Sequence, residues 1–263
     1  DVDRSRGLGD VYKRQDDALA FTQAADETGI PIILQAGPSC RAHTPIPILG
    51  KMFRYLASQT KTNICCHVDH GYTLDECYEG IDSGFTSVMF DGSKLTLKEN
   101  IKISKKIASR AHKYNISIEG EIGFVGYDNG KISEGTNIED AVTFANQSNI
   151  DAMAISVGNT HLQTSKKASI DFNKINLIEA KTKIPLVLHG SSGIPVEQRK
   201  KLARKTKVAK LNIGTEIRMT FGEALRKNLK NNPKTYDRLQ LLKPTIKDLT
   251  KVTKKIIKQI GPN

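Results

Sequence analysis

The sequence predicts an α/β protein that folds as a single (β/α)8 barrel. Apolar segments with the length of buried strands alternate with amphipathic helical segments, and the strands begin roughly 25 to 35 residues apart. The 263 residues of the chain suit one such barrel, which typically takes about 250 residues. No G-x-G-x-x-G motif follows the first apolar strand, so the pattern favours a closed barrel over a dinucleotide-binding sheet.

Seven buried strands are predicted, one fewer than a closed barrel of this kind needs. They are Pro31–Ala36, Asn63–Asp69, Ser87–Asp91, Ile116–Gly123, Ala152–Gly158, Pro185–His189 and Val208–Ile213. Because the pattern opens on a helix over Ala18–Glu27, the first strand is the one that is missing. Residues 1–15 replace it, and their polar, aperiodic sequence predicts a non-native leader.

The predicted helices lie between these strands and continue into a C-terminal extension. Those between the strands are Ile48–Gln59, Leu74–Ser83, Leu97–Tyr114, Ile138–Ser148, Phe172–Lys181 and Pro195–Lys205. The alternation predicts a catalytic barrel over residues 16–222. Residues 223–263 are predicted to form two or three basic helices that separate near Pro233 and Pro244 and pack on the barrel.

The chain is strongly basic, with a formal net charge of +12. The segment from Ala224 to Asn263 carries 11 Lys and Arg residues against Asp237 and Asp248. Such a balance is typical of nucleic-acid binding or of a solvated, lysine-rich surface that would also attract phosphorylated substrates. No aromatic residues are interleaved with the basic ones, so we favour the solvated surface and expect no nucleic-acid partner. A nucleic-acid-binding tail would instead show steeply salt-dependent DNA affinity.

The cysteines and the apolar segments indicate the compartment. None of the four cysteines forms a C-x-x-C pair, and Cys65 and Cys66 lie inside a predicted buried strand. The sequence contains no run of 18 apolar residues and no secretory signal pattern. We therefore expect reduced thiols, a cytoplasmic protein and no membrane partner.

Three of the six histidines stand at or just past the ends of predicted strands; they are His70, His161 and His189. Active sites of barrels form at this end, and three neutral imidazoles that leave a fourth position open are typical of catalytic zinc. Side-chain alternation predicts that His67 and Asp69 point to one face of their strand and His70 to the other. We expect His67 to hydrogen-bond inside the barrel. A structural role for the other histidines is the competing interpretation.

Two glycine-bearing loops follow the last two predicted strands. One reads His-Gly-Ser-Ser-Gly from His189, and the other reads Asn-Ile-Gly-Thr from Asn212. Loops at these two positions of a barrel commonly bind phosphate through backbone N–H groups and a helix N-terminus. Ser192 and Thr215 can add hydroxyl donors. The sequence therefore predicts a phosphate site, although glycine and serine pairs also suit ordinary turns.

Six motifs stand at or beside the predicted strand ends. They are HVDHG (67–71), GFTSVMFDGSKL with KEN (84–95 and 98–100), SIEGEIG (117–123), SVGNTH (156–161), VLHGSSGIP (187–195) and KLNIGTEIR (210–218). Through them the chain, from about Ala18 to about Leu225, resembles the class II, zinc-dependent fructose-bisphosphate/tagatose-bisphosphate aldolase family. The resemblance implies a barrel that opens with a strand. It also implies reversible cleavage of a ketose 1,6-bisphosphate to dihydroxyacetone phosphate and glyceraldehyde 3-phosphate.

The resemblance further implies roles for individual residues. His70, His161 and His189 would hold one zinc ion per chain, Asp69 would be the acid/base at C4, and Glu121 would support the metal site. Dihydroxyacetone phosphate would be bound by Gly190, Ser191, Ser192, Asn212, Ile213, Gly214 and Thr215. Zinc would polarise the ketose carbonyl and stabilise the enediolate that cleavage of the C3–C4 bond leaves. No Schiff-base lysine is evident at a strand end.

The chain departs from the family's pattern at several positions. Leu162 stands where many relatives have glycine, so only its backbone N–H is expected to bind substrate. The loop acid for proton transfer at C3 aligns near Asp128, where glutamate is common, and Glu134 is a second candidate. Gly214 leaves the choice between the fructose and tagatose configurations open. Arg218 resembles a second-phosphate contact or is an ordinary helix-surface arginine.

Two other functions remain open on the sequence. A metal-dependent barrel hydrolase would use similar histidines, but no further Asp is evident on the last strand. A non-catalytic relative would bind sugar phosphate only, and the complete set of Asp69, His70, His161 and His189 argues against it. The resemblance implies a homodimer or homotetramer and leaves a monovalent cation open.

Overall fold

A computed structural model describes residues 7–11, 15–126 and 135–261. The strands in these ranges are β1 (Gly7–Val11), β2 (Ile32–Ala36), β3 (Ile64–Gly71), β4 (Ser87–Phe90), β5 (Ser117–Ile122), β6 (Ala152–Ile155), β7 (Leu186–Leu188) and β8 (Val208–Asn212). Each strand pairs in parallel with the next along the chain, and β8 pairs with β1, so the sheet closes into a barrel. The predicted (β/α)8 barrel is confirmed.

The first strand of the barrel comes from within residues 1–15, the segment predicted to replace it. Gly9 lies opposite Ile33 of β2 and opposite Asn212 of β8. Parallel pairing is made by backbone N–H and C=O groups, which a polar, glycine-bearing segment supplies as well as an apolar one. The pairing of β1 removes the two free edges that an open sheet would expose.

Helices connect the strands and surround the barrel. They are α1 (Gln15–Thr28), α2 (Pro38–His43), α3 (Ile46–Gln59), α4 (Leu74–Asp82), α5 (Leu97–Lys113), α6 (Ile138–Gln147), α7 (Phe172–Lys181), α8 (Val196–Lys205), α9 (Thr215–Asn231) and α10 (Arg238–Ile260). A short 3-10 turn, Ser191–Gly193, follows β7. The helix α2 was not predicted, because six residues are too few for a helical period to be recognised. Of the helices described, none is long and apolar enough to cross a lipid bilayer.

Side-chain caps explain why several helices begin where the sequence predicts. Thr96 and Glu99 form a reciprocal capping box at the start of α5. Single side-chain caps begin α4, α6, α7 and α10; they are Thr73, Asn137, Asp171 and Asp237. Each cap satisfies a backbone N–H of the first turn that has no partner within its own helix. These contacts are local in sequence, so they can be recognised without the fold.

The prediction that the helical tail breaks near Pro244 is wrong, because α10 runs through this residue. Proline has no N–H to donate to the carbonyl of Gln240 one turn earlier. The side-chain amide of Asn228 on α9 donates to that carbonyl at 3.2 Å and to the carbonyl of Leu241 at 2.8 Å. A neighbouring helix therefore replaces the hydrogen bond that proline removes. The predicted break near Pro233 is present, between α9 and α10.

The helix α10 packs against α1 at the start of the barrel. The hydroxyl of Thr250 donates to the carbonyl of Ala20 at 3.3 Å. Lys254 Nζ lies 2.5 Å from Glu27 Oε2 on the outer side of the same contact. Buried side chains of α10, among them Leu249 and Ile256, join the main hydrophobic core. The last helix thus contributes apolar area to the barrel core and keeps its lysines on the surface.

Polar side chains fill part of the barrel interior below the strand ends. His67 Nδ1 lies 2.8 Å from the hydroxyl oxygen of Ser87, and Lys210 Nζ lies 3.2 Å from His67 Nε2. Lys210 also donates to Glu119 Oε2 at 2.7 Å. All four residues are buried, and His67 hydrogen-bonds inside the barrel as predicted. Through Glu119 this layer reaches His189 at the end of β7.

Candidate active site

The backbone turns sharply where β3 ends. His70 has a φ of +51°, in the left-handed region that residues other than glycine seldom adopt. The register between β3 and β4 also shifts between Val68 and Gly71. The shift interrupts side-chain alternation, and the ring of His70 lies 4.5 Å from that of His189, which contacts Glu119 in the same barrel interior that holds His67. The prediction that His70 points to the opposite face is therefore wrong, because it assumed a regular strand.

Arg41 of α2 holds this turn in place. Its guanidinium donates to the carbonyls of Ala36 and Asp69. It also donates to the carbonyl of His70 at 3.0 Å, and the side chain is almost fully buried. Three carbonyl oxygens around one guanidinium offset part of the cost of removing the charge from water. The charged side chain of Arg41 thus fixes the backbone of His70, the left-handed residue whose ring is a candidate metal ligand.

The three histidines that the sequence singles out converge at the carboxyl ends of the strands. The ring centroid of His70 lies 4.5 Å from that of His189 and 5.4 Å from that of His161. The other two rings are 5.9 Å apart. One nitrogen from each ring lies within 4.8 Å of the other two, which is close enough for a shared metal ion. His70 lies in β3, His161 lies in the loop after β6, and His189 directly follows β7.

Carboxylates fix which nitrogen two of these rings present. His70 Nδ1 lies 2.8 Å from Asp91 Oδ2, and His189 Nε2 lies 2.9 Å from Glu119 Oε1. The remaining nitrogen, Nε2 of His70 and Nδ1 of His189, is the one left for a ligand. A carboxylate on the far nitrogen orients an imidazole and strengthens it as a donor.

Neighbouring charges move the pKa values of the histidines in opposite directions. Burial alone would lower the pKa of His70, but the Asp69 carboxylate and the hydrogen bond to Asp91 outweigh it and raise the pKa to about 10. Burial and the positive charge of His70 lower the pKa of His161 to about 3. The same two causes hold the pKa of His189 well below its usual range. With no metal bound, the cluster therefore holds one proton at neutral pH, on His70.

Glu121, which the resemblance predicts to support a metal site, lies beside the histidines. Its Oε2 atom is 3.7 Å from His70 Nδ1 and 3.5 Å from His189 Nδ1. Burial and the nearby Asp91 carboxylate raise the pKa of Glu121 well above its usual value. Glu121 also forms a second group with His70 and Asp91 whose ligand atoms lie within 4.8 Å of one another.

Asp69 is fully buried and reaches the end of β8. The amide of Asn212 donates to Asp69 Oδ1 at 3.2 Å, across the barrel mouth. The other oxygen, Oδ2, has no hydrogen-bond partner within the part of the chain that the structure describes. Buried carboxylate oxygens are normally paired, so this oxygen is placed to meet a ligand. Asn212 thus turns its side chain toward Asp69, and its contribution to a phosphate site would come from the backbone.

The loop after β7 is shaped by Gly190. Its φ is +63°, and a Cβ at this position would lie 2.3 Å from the carbonyl oxygen of Thr160 and 3.0 Å from the N of His161. Only glycine allows this contact without displacing the segment that carries His161. The hydroxyl of Ser191 donates to the carbonyl of Leu188 at 2.9 Å, so that hydroxyl is already used within the loop. Gly190 therefore brings the loop after β7 into contact with the loop that carries His161.

The loop after β8 leads directly into α9. Ile213 is fully buried in the core, so only its backbone faces the loop. Gly214 is the N-cap residue of α9, and Thr215 Oγ1 accepts a hydrogen bond from Arg218 Nη2 at 3.1 Å. The hydroxyl of Ser192 accepts from the N–H of Glu216 at 3.2 Å. That bond joins the two loops that the sequence predicts to bind phosphate.

Of three further predicted site residues, Leu162 is described by the structure, and Asp128 and Glu134 are not. Leu162 is more than half exposed and has a φ of +60°, so its backbone adopts the conformation in which glycine carries no penalty. Asp128 and Glu134 lie outside the described residues. Their assignment to proton transfer at C3 stays a prediction.

Sequence reasoning missed several residues that hold the site together. Asp91 and Glu119 stand inside the six motifs. Asp91 directly follows β4, where an acid beside a strand end is a usable signal for a histidine partner, whereas Glu119 lies within β5. Lys210 also stands in a motif, but nothing local shows that it turns into the barrel. Arg199 occupies the buried face of α8 with Leu202. An arginine on an apolar helical face is a signal that composition alone does not reveal.

The donor set of the site suits a metal ion. His189 Nδ1 is buried and has no hydrogen-bond partner among the described residues, although buried polar atoms are normally satisfied. It faces a space bordered by two other imidazoles, both held by the fold. Three nitrogen donors at this spacing match the ligands that Zn²⁺ and related ions accept. His70, His161 and His189 could therefore hold one ion, and Asp91 and Glu119 would orient two of them.

Comparison with known proteins defines the class. A family model described as Fructose-bisphosphate aldolase class-II matches residues 12–263. Together with the barrel and the site at its carboxyl end, this match makes the protein a (β/α)8-barrel aldolase, which is an aldehyde-lyase. The chain belongs to the class II fructose-bisphosphate aldolase family, and the resemblance seen in the sequence is confirmed.

Two named activities occur among similar curated proteins. The chain is 36% identical over 201 residues to the 6-phospho-5-dehydro-2-deoxy-D-gluconate aldolase of Shouchella clausii, which covers 75% of this chain and 68% of the relative. It is 32% identical over 254 residues to a fructose-bisphosphate aldolase of Staphylococcus aureus, which covers 92% of this chain and 88% of the relative. Two different substrates are thus named at similar sequence distance.

Solved structures share the fold over nearly the whole chain. The YdjI aldolase from Escherichia coli K12 has a TM-score of 0.83 at 23% identity, covering 98% of this chain and 92% of that one. The fructose-bisphosphate aldolase from Campylobacter jejuni has a TM-score of 0.79 at 19% identity, covering 97% and 90%. Identities this low show the shared barrel and do not define a substrate.

Proposed function

We propose that this chain catalyses the reversible, zinc-dependent aldol cleavage of a phosphorylated ketose. The candidate substrates predicted from the sequence are fructose 1,6-bisphosphate and tagatose 1,6-bisphosphate, each of which would yield dihydroxyacetone phosphate and glyceraldehyde 3-phosphate. The observation that carries the proposal is the group formed by His70, His161 and His189, whose ligand atoms lie within 4.8 Å beside the buried Asp69. Family membership supports the reaction class.

The three imidazoles are proposed to hold the zinc ion. When bound, zinc would supply Lewis-acid polarisation of the ketose carbonyl. Asp91 and Glu119 keep the far nitrogens of His70 and His189 hydrogen-bonded, so both rings keep their orientation when the ligand nitrogens are free. Glu121 is the proposed support for the site, at 3.5 Å from His189 Nδ1.

Asp69 is the proposed acid/base. In cleavage its carboxylate takes the proton of the C4 hydroxyl, C4 becomes the aldehyde carbon, and the electron pair of the C3–C4 bond passes toward the ketose carbonyl. In synthesis the same carboxyl returns the proton. Asn212 holds Oδ1, which leaves Oδ2 for this transfer. General acid–base catalysis requires such a group within hydrogen-bond reach of the proton.

A second acid must then deliver a proton to C3 of dihydroxyacetone phosphate. Asp128 and Glu134 are the proposed residues, both in the glycine-rich, polar sequence from Phe124 to Asn137. Asp128 is one methylene shorter than the glutamate that is common at that position. Substituting each acid separately and following proton exchange at C3 in deuterated water would identify the one that acts.

The phosphate that dihydroxyacetone phosphate carries is proposed to bind between the loops after β7 and β8. Gly190, Ser191 and Ser192 supply the first loop, and Asn212, Ile213, Gly214 and Thr215 supply the second. The N-terminus of α9 adds the positive end of a 17-residue helix. The backbone of Leu162 contributes an N–H from the loop after β6, and Arg218 is the proposed contact for a second anionic group.

A second substrate is favoured by the curated relatives. Several of them are named 6-phospho-5-dehydro-2-deoxy-D-gluconate aldolases, at 31% to 36% identity. That compound shares the ketone and phosphate end of the ketose bisphosphates, so cleavage would again give dihydroxyacetone phosphate. The two substrate types differ at the other end, where a carboxylate replaces the second phosphate. Either group would be attracted by Arg218, so the family site leaves the choice between them to experiment.

The test compares cleavage of fructose 1,6-bisphosphate, tagatose 1,6-bisphosphate and 6-phospho-5-dehydro-2-deoxy-D-gluconate by zinc-reconstituted protein, with a chelator control. Chelator-sensitive release of dihydroxyacetone phosphate from any of them supports the proposal, and the ratio of kcat/KM values identifies the substrate. Release of inorganic phosphate alone would indicate a hydrolase. Tight sugar-phosphate binding without turnover by folded, zinc-loaded protein would indicate a non-catalytic relative.

Assembly and surroundings belong to the same proposal. We expect a homodimer or homotetramer in the cytoplasm, with no nucleic-acid or membrane partner and with a monovalent cation still open. Light scattering would report the oligomer size. DNA affinity measured at two salt concentrations would test the basic tail, because phosphate contacts make such binding steeply salt-dependent.

A further inference from the structure

Among the residues whose burial the structure describes, Arg199 is the largest whose side chain is completely buried. It lies on α8, where positions 199, 202 and 203 form the buried face of an otherwise polar helix. Removing a guanidinium from water costs several kcal/mol unless it is paired, and replacing buried ion pairs by apolar residues is often neutral or stabilising. A charge in this core position therefore calls for an explanation beyond stability.

Arg199 binds the backbone of the loop after β7 from below. Its Nε donates to the carbonyl of Ser191 at 2.9 Å, and its Nη2 donates to the carbonyl of Ser192 at 2.8 Å. In a trans peptide the C=O and N–H groups point in opposite directions. Because Arg199 holds these two carbonyls, the N–H groups of Ser192 and Gly193 are turned away from the guanidinium, and the Gly193 N–H bonds the carbonyl of Gly190 at 3.3 Å. A loop held this way directs the N–H of Ser192, and not the carbonyl oxygens of Ser191 and Ser192, toward an anion on the side away from Arg199.

Arg199 also joins the two loops that are proposed to bind phosphate. Its Nη2 lies 2.7 Å from Glu216 Oε2 in the first turn of α9. Burial alone would raise the pKa of Glu216, but the Arg199 charge and hydrogen bond lower it, so the pair stays ionised at neutral pH. The N–H of Glu216 in turn bonds the hydroxyl of Ser192 at 3.2 Å. Backbone and side chain of Glu216 therefore both connect to the loop that Arg199 holds.

From this geometry we infer that Arg199 is a positioning residue for the phosphate group of the substrate. It holds the loop after β7 with the N–H of Ser192 facing the anion, and through Glu216 it sets the distance between that loop and the N-terminus of α9. This inference rests on the proposed function, because it concerns the same phosphate site. It adds a residue outside every motif and loop assigned to that site.

The test uses zinc-loaded wild type, Arg199→Met and Arg199→Lys, with Arg204→Met as the matched control. Arg204 lies one and a half turns further along the same helix and is exposed. Inorganic phosphate is titrated by calorimetry and as an inhibitor of cleavage. We expect phosphate binding to weaken about tenfold or more in Arg199→Met, the size expected when charge-assisted hydrogen bonds are lost. Arg199→Lys should recover part of the affinity, because lysine keeps the charge and lacks the planar fork.

Other readouts separate positioning from a general structural role. In Arg199→Met, KM for the phosphorylated substrate should rise together with the dissociation constant for inorganic phosphate, while zinc affinity stays at the wild-type value. Arg204→Met should change none of these quantities. Folded Arg199→Met with wild-type phosphate affinity would overturn the inference. If that variant does not fold, Glu216→Gln takes its place; it keeps Arg199, and unchanged phosphate affinity in it would equally overturn the link. Absence of phosphate binding by wild type would overturn the proposed phosphate site itself.

Discussion

Two arginines with buried side chains hold the backbone of this site, although neither is proposed to take part in the reaction. Arg41 binds the carbonyls at the end of β3, and Arg199 binds those of the loop after β7. Each guanidinium has five N–H donors in a rigid plane, so it can hold several carbonyl oxygens of one turn at once. Both side chains fix backbone that carries a predicted site residue, His70 in the first case and Ser192 in the second.

Asp69→Asn tests the acid/base at the residue scale. The amide is nearly isosteric and can still pair with Asn212, but it cannot take the C4 hydroxyl proton. We expect kcat to fall about 100-fold or more, the usual contribution of a positioned acid/base, with zinc affinity retained. Steady-state kinetics and a zinc competition assay measure the two quantities. Asp75→Asn on the exposed surface of α4 is the control, and equal losses in both variants would contradict the assignment.

Leu162 provides a prediction about backbone strain. Its φ of +60° costs a residue with a Cβ about 1–2 kcal/mol, more than the roughly 0.5–1 kcal/mol that glycine loses through unfolded-state entropy. Leu162→Gly should therefore be more stable than Leu162→Ala, by about 0.5–1 kcal/mol, the reverse of the order at ordinary positions. Chemical denaturation of the two variants measures the difference. An alanine variant at least as stable as the glycine variant would show that the turn is not strained.

At the scale of elements, the sequence pattern located the helices better than their ends and interruptions. Apolar period and local caps suffice for α5 and α7, whose starts agree with the predicted Leu97 and Phe172. The pattern did not predict α2, which is short, and it wrongly predicted a break in α10 at Pro244. The error at Pro244 arose because the missing N–H of proline can be read from the sequence, whereas the hydrogen bond that replaces it comes from Asn228 on a different helix.

Asn228→Ala tests that compensation. In the variant the carbonyls of Gln240 and Leu241 lose the Asn228 amide and turn to water, so we expect a loss of about 0.5–1.5 kcal/mol in the free energy of unfolding. In a Pro244→Ala background the restored N–H can serve the same carbonyl, and the loss should shrink. Asn231→Ala, an exposed residue at the end of α9, serves as the control. Equal losses with and without Pro244 would show that Asn228 acts in some other way.

At the scale of the whole molecule, barrel closure gathers buried charges that depend on one another. Glu119 accepts from both His189 and Lys210, and Lys210 also contacts His67. The chain separations involved are large, for example 143 residues between Lys210 and His67. The network extends from the polar interior to the candidate metal ligand His189, so a substitution in the interior should affect this histidine.

The charge state of the histidine cluster predicts how zinc affinity varies with pH. In the metal-free protein the pKa of His70 is raised to about 10, while that of His161 is lowered to about 3. A metal ligand must be neutral, so zinc must displace the His70 proton at any pH below about 10 and displaces none from His161 near neutrality. Apparent zinc affinity should therefore rise about tenfold per pH unit between pH 6 and 8.

Competition with a chelator of known proton dependence measures this slope. A flat profile over the interval would mean that His70 is already neutral or does not bind the metal. Zinc should also raise the melting temperature of the protein, by an amount that grows with free zinc concentration, because the ion binds the folded chain. Substituting the exposed His43 should change neither result.

The sequence by itself determined the alternation of strands and helices, the family, and the three histidines with Asp69 at the strand ends. These follow from apolar period, local caps and short motifs, which are properties of neighbouring residues. Only the tertiary structure decided that residues 7–11 close the barrel, that His70 joins the face of Asp69, and that Arg199 lies buried beneath a loop. Each of these depends on groups that meet when a closed sheet brings distant segments together. Which groups meet is set by hydrogen bonding and burial between these distant segments, so a local pattern can mark a residue such as Arg199 as unusual but does not specify its partners.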